Sequence, residues 1–180
     1  MKIYDPIGID NCQLVHFVNG EDYELLASFD GTSRKQTWRP VRVKIVDYSP
    51  RMKSPMCDFP WLGCHPLILR TRAVMALRDI FDAYGELLPL ATDDDVTLFV
   101  FNAWATDALD EARSELIRVP GSTQIAFIDK PVFIDDNVRG RDIIRPRGRA
   151  MPTYVSERFV ERVERAGLVG LEFDLVATVS

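Results

Sequence analysis

No apolar run in the chain approaches the roughly 18–20 residues that a membrane-spanning helix requires, so no span is expected. The opening MKIYDPIGID lacks a continuous apolar stretch and carries acids early, which reads against a secretory signal. Cysteine is scarce: Cys12, Cys57 and Cys64 are odd in number and form no paired framework, so a reducing cytoplasm is the expected setting. Histidine is scarcer still, with only His16 and His65. Positive charge is not in excess. A formal net charge of -5 argues against a general nucleic-acid binder and leaves a basic protein partner compatible. There is no G-x-x-x-x-G-K-[ST] loop, no Rossmann glycine pattern, no internal repeat, no low-complexity tract and no long linker.

What is present suits one domain over residues 1–180, with residues 1–40 its least defined portion. Hydrophobic residues make up 47% and charged residues 27%, enough for a substantial core and too apolar for wholesale disorder. Charge is unevenly spread. Residues 34–78 hold ten basic groups against Asp47 and Asp58, whereas residues 82–115 hold nine acids and only Arg113.

VRVKIVDY (41–48) alternates as a half-buried strand does. Thr71 is positioned to cap a helix running through Tyr84, with Val74, Leu77, Ile80, Phe81 and Tyr84 on one face and Gly85 at its stop. ELLPL reads as an edge or irregular strand because of Pro89. VTLFVFNAW (96–104) is apolar at nearly every position and predicts a strand buried on both faces, in which Asn102 needs hydrogen-bond partners. Residues 115–129 predict a hairpin turning at Pro120-Gly121, with PVFID continuing the pairing. Ser156 predicts a helix cap, with Phe159, Val160, Val163 and Ala166 inward and Gly167-Leu168 at the end. LEFDLVATV (171–179) then predicts Leu171, Phe173, Leu175, Ala177 and Val179 inward. The pattern implies an α+β domain: a mostly antiparallel sheet with two principal helices packed against it.

Reactive residue types concentrate in DFPWLGCHP (58–66). Cys12, His16, Cys57, Cys64 and His65 together are zinc-type ligands, but a six-residue gap holding Pro60 and Trp61 is not the tight knuckle that zinc sites use. Cys64 and His65 are adjacent, and neighbours on an extended chain point to opposite sides, so they make no dyad. The blander reading is a rigid corner. In it Asp58 braces a turn, Pro60 restricts the chain, Phe59 and Trp61 supply apolar area, Gly63 allows an unusual backbone angle and His65 is a hydrogen-bonded strut. The acids Asp93, Asp94, Asp95, Asp107, Asp110, Glu111 and Glu115 lack the ligand spacing of a calcium loop; their functional reading is a face that steers a basic partner. RGRDIIRPRGR (139–149) carries five Arg without interleaved aromatics, so a loop bridging the chain's own acids is expected over phosphate binding.

Several blocks in order carry a resemblance. DFPWLGCHPLILRTRAVMALRDIFDAYGELLPL (58–90), LFVFNAWATDALDEARSE (98–115), IAFIDKPVF (125–133) and TYVSERFVERVERAGLVGLEFDLV (153–176) resemble a bacterial family once catalogued as a domain of unknown function. That family is now assigned to immunity proteins of polymorphic toxin systems. The likeness runs from about residue 41 onward. It departs at Cys64, where the family often has Ser, and at the closing ATVS, where it tends to have an aromatic. The resemblance implies a cytoplasmic, non-catalytic protein of interbacterial competition that binds and neutralises a cognate toxin domain, with no cofactor and no metal. The alternative is a small metal- or cysteine-dependent hydrolase built on His16, Cys57, Cys64 and His65.

Overall fold

The computed structural model describes residues 1–49, 51–63, 65–93, 96–148 and 151–179. The architecture is α+β and rich in strands, but the expected single sheet is two. One has the order β12-β1-β11-β10-β7 and the other β2-β3-β5-β6-β4, with β8–β9 forming a separate hairpin. The first sheet comprises β1 (Lys2–Gly8), β7 (Ala105–Thr106), β10 (Ile143–Pro146), β11 (Tyr154–Ser156) and β12 (Leu171–Thr178). The second comprises β2 (Leu14–Phe17), β3 (Arg42–Val46), β4 (Ile68–Arg70), β5 (Gly85–Thr92) and β6 (Leu98–Ala103), and the hairpin is β8 (Glu115–Arg118) with β9 (Ile125–Lys130). Both sheets are mixed: β3 runs parallel to β5, and β7 parallel to β10.

Five short helices are described: α1 (Asp22–Ala27), α2 (Thr71–Ala76), α3 (Arg78–Tyr84), α4 (Asp135–Val138) and α5 (Glu157–Arg165). The expected helix 71–84 is thus two, broken at Leu77, whose backbone leaves helical geometry (φ -122°, ψ 20°). Thr71 does not cap it. Arg70 holds the cap position without a side-chain cap bond, and its guanidinium instead reaches the Cys57 carbonyl and Gln13. The apolar face is as the spacing predicts, with Val74, Leu77, Ile80 and Phe81 buried. Gly85 ends α3 in extended backbone and begins β5 directly; a Cβ there would lie 2.4 Å from the Phe101 ring. Its small size, not a left-handed angle, is what the site uses.

α5 follows its sequence closely. The Ser156 hydroxyl accepts from the Phe159 N–H. Gly167 takes φ +60°, and the pair Gly167 N–H to Glu164 and Leu168 N–H to Val163 closes a Schellman end. β12 departs. Its register with β1 shifts between Ile3 and Tyr4, so Val176 is an extra residue and the alternation slips. Leu175, expected inward, is 56% exposed, and Val176 turns toward the core.

The main core lies where α2, α3 and α5 meet the two sheets. Phe81 packs on Phe101 in a tilted contact, 4.8 Å between ring centroids, and Phe159 packs edge-on to both Phe81 and Phe173. Residues 1–40 are part of this framework, since β1 runs between β11 and β12. PVFID does not extend the hairpin: β9 ends at Lys130, Phe133 bridges Leu109, and Asp135 opens α4.

Candidate functional site

The 58–66 corner joins three parts of the chain. Asp58 and Phe59 donate their N–H groups to the Val169 carbonyl, and the Asp58 carbonyl accepts from Arg70. The buried Asp58 carboxylate accepts from the Val169 N–H at 3.0 Å and from Arg72 at 2.7 Å. Arg72 also donates to the carbonyls of Ala166 and Gly167. The corner therefore fixes α2 to the turn between α5 and β12. Phe59 and Pro60 are buried, and the Trp61 carbonyl accepts from Val15 while its ring lies over Gly8. Gly63 adopts φ +74°. His65 is exposed; the apolar surroundings and the nearby Arg145 guanidinium hold its imidazole below its usual range.

The cysteine expectation is corrected. Cys12 and Cys57 form a disulfide across 45 residues of sequence, tying the β1–β2 connection to the corner. A bonded Cys57 offers neither a thiolate nucleophile nor a zinc ligand. His16 is exposed on β2 opposite Lys44, and Cys64 lies outside the described residues. Among the described residues no three His, Cys, Asp or Glu side chains are grouped to hold a metal ion. Among the described residues the hydrolase set is not assembled.

The acids of the 93–115 block are distributed, and each described member meets a base or a backbone donor. Asp93 pairs with Arg42 at 2.6 Å beside the β3–β5 contact. Asp107 takes both arms of Arg147, and that pairing holds its carboxyl below the usual carboxylate range. Asp110 accepts from the N–H groups of Ala112 and Arg113, shaping the turn before β8. Glu111 pairs with Arg118 and Glu115 with Lys130, both at 2.8 Å. Asp94 and Asp95 lie outside the described residues. Each of the five described acids thus has a partner within the chain.

The Arg-rich stretch is likewise not a loop throughout, because Ile143–Pro146 forms β10 inside the first sheet. Arg141 lies over the Tyr84 ring, Arg147 pairs with Asp107, and Arg145 is buried. Arg149 lies outside the described residues.

One surface feature escaped the sequence reading. The β8–β9 hairpin buries Ile125 and Ile128 against Met151, with Leu116 and Leu109 alongside. The pairing shifts register between Ile117 and Arg118, leaving Ala126 extra, so Ile117 and Phe127, directly opposed across the pair, face away from Ile125 and are 56% and 52% exposed. Exposed apolar residues that neighbour one another carry more meaning than isolated ones. Glu115–Lys130 lies at the open end of the hairpin and Arg118, paired with Glu111, at its turn end, giving an apolar centre with a charged rim. Alternation alone does not reveal it, because the register shift that separates Phe127 from Ile125 depends on the pairing with β8.

The hairpin sits within the part of the chain that has a known likeness. Residues 99–178 match the model of the Immunity protein family (Imm11). The match begins in β6 and ends at the last residue of β12, taking in the hairpin, β10 and α5. The 58–66 corner lies outside the matched residues. No match was found among curated proteins. No helix among the described residues is long and apolar enough to cross a membrane.

Proposed function

We propose that the chain is an immunity protein that neutralises a cognate toxin domain by binding it, without catalysis. The observation that carries this reading is the Imm11 match over residues 99–178. The Cys12–Cys57 bond occupies Cys57, one of the two thiols of the hydrolase alternative.

The contact surface we favour is the outer face of the hairpin, with Ile117 and Phe127 at its centre and Glu111, Arg118, Glu115 and Lys130 around them. Large apolar side chains at the centre of an interface contribute most of the affinity, while rim charges act mainly on association rate and salt dependence. Asp107 and Asp110 extend that rim. Asp93, with Asp94 and Asp95 beside it in sequence, supplies a second charged segment, and reversing the charge of all three is expected to slow association with a basic toxin surface.

The test is co-expression with the toxin-like domain encoded beside this chain. Growth should be restored by the wild-type protein, and the two chains should co-purify at fixed stoichiometry. Unrestored growth and no complex would remove the proposal.

A further inference from the structure

The fold makes no use of the Asp5 carboxylate. Asp5 lines a cavity of about 130 Å³ between the first sheet and β9, and its side chain forms no hydrogen bond or ion pair among the described residues. Tyr154, 2% exposed on β11, lines the same cavity, and its hydroxyl has no hydrogen-bond partner among those residues either. Both keep their polar atoms in contact with solvent space; the unpartnered side-chain atoms that are shut off belong to Arg34, Asn102 and Arg145. Ile128, Met151, Pro152 and Val176 supply apolar walls, and the exposed Phe127 and Asp129 stand at the mouth.

The free charge around this cavity is negative. Asp174 lies directly across the strand pair from Asp5, and burial together with that neighbour pushes the Asp5 carboxyl up to about 6, so at neutral pH it is still mostly ionised. Nearby cations are committed elsewhere. Lys130 pairs with Glu115, Arg145 donates to the Phe29 and Gly148 carbonyls, and the His65 imidazole is held below its usual range. A half-buried carboxylate without a counter-charge is costly, and a cation brought into the cavity offsets that cost. The walls do not suit a metal ion, since no three His, Cys, Asp or Glu are grouped among the described residues. An ammonium or guanidinium on an aliphatic stem fits better. Its head donates to Asp5 and to the Tyr154 hydroxyl oxygen, while the stem lies along Ile128, Met151 and Val176. One water-sized group needs roughly 10–15 Å³, so the space holds several non-hydrogen atoms. Phe127 belongs both to the mouth and to the contact surface favoured above, which argues for the partner protein as the source. We propose that this cavity receives one lysine or arginine side chain of the bound toxin domain, with Asp5 as its counter-charge, an assignment that rests on the immunity function proposed above.

The experiment uses the full chain with labelled methyl groups, followed by NMR at about pH 7.5 during titration with n-butylammonium chloride, with n-butanol and with sodium chloride at matched ionic strength. Butylammonium should shift the Ile128, Met151 and Val176 methyls saturably, butanol and sodium chloride should not, and Asp5→Asn should weaken the response at least about tenfold. An equal response to butanol or to sodium chloride, no saturation, or an undiminished response in Asp5→Asn would overturn the site. Should Asp5→Asn fail to fold, the comparison of butylammonium with butanol in the wild-type protein still decides. Calorimetry with the toxin domain then tests the source. Asp5→Asn should bind that domain at least about tenfold more weakly, and the wild-type complex should lose its response to butylammonium. A complex that Asp5→Asn leaves unchanged and that still takes up butylammonium would overturn the toxin side chain in favour of a free amine. Absence of any wild-type complex would overturn the immunity function and the toxin side chain with it, while the titration of the free chain still decides the cavity.

Discussion

Replacing Asp58 with alanine removes an acceptor that holds α2 to the turn before β12, and its cost can be worked from the contacts. The carboxylate is nearly buried, with its side chain 7% exposed, whereas Arg72 opposite it is 58% exposed. The bond from the Val169 N–H is charge-assisted at a buried acceptor, and losing it costs roughly 1.5–3 kcal/mol. The Arg72 pair faces water on one side and adds only about 0.2–1 kcal/mol. Together these predict a loss of about 2–4 kcal/mol, or roughly 4–16 °C in Tm for a chain of this size. Asp58→Asn keeps an acceptor for Val169 without the charge and should lose about half as much. Urea denaturation monitored by tryptophan fluorescence gives the values, with the midpoint falling and the slope unchanged. A double-mutant cycle with Arg72→Met should return only a small coupling, because the backbone bond and not the ion pair dominates. An Asp58→Ala variant within about 0.5 kcal/mol of wild type would refute the reasoning, since surface substitutions alone do that little.

Three further outcomes are expected. The disulfide closes 45 residues of chain, which in the chain-entropy account is worth about 4 kcal/mol at 25 °C. Adding a reductant, or making Cys12→Ser, should therefore lower Tm, and the variant should no longer respond to reductant; an unchanged Tm under reducing conditions would contradict this. Burial, with Asp174 directly across the strand pair, pushes the Asp5 carboxyl up to about 6. The folded state then binds the proton more tightly than the unfolded state, so this group lowers stability progressively as pH rises from about 4 through 6. Asp5→Asn should be more stable than wild type at pH 7.5 and equal to it near pH 3.5, as read by thermal denaturation across that range; a difference that does not change with pH would argue against it. Ile117→Glu with Phe127→Glu should leave Tm within about 1 kcal/mol of wild-type stability, because neither side chain is buried, while weakening toxin binding at least tenfold in calorimetry.

The parts of the fold set by local chemistry were legible in the sequence. Ser156 with Gly167 bounds α5, and Pro120-Gly121 turns the hairpin, since caps and turns depend on residues a few positions apart. The errors came from distant partners. Leu175 faces outward because of a register shift against β1, which no inspection of residues 171–179 can reveal. Cys12 and Cys57 read as unpaired because their approach depends on how the β1–β2 connection meets the corner. The ion pairs of Asp93 and Asp107 were not legible from the 93–115 block, because Arg42 and Arg147 lie 51 and 40 positions away. Arg145 had one cue, its place after Ile143-Ile144 in an apolar strand, but its missing counter-charge is visible only in three dimensions.

The central claim is that this chain acts by binding through a surface rather than by chemistry. It is tested most directly by growth of cells expressing the adjacent toxin domain together with either the wild-type chain or the folded Ile117→Glu, Phe127→Glu variant. The account predicts rescue by the wild type, proportional to complex formed, and loss of rescue by the variant. Rescue without a detectable complex would contradict it.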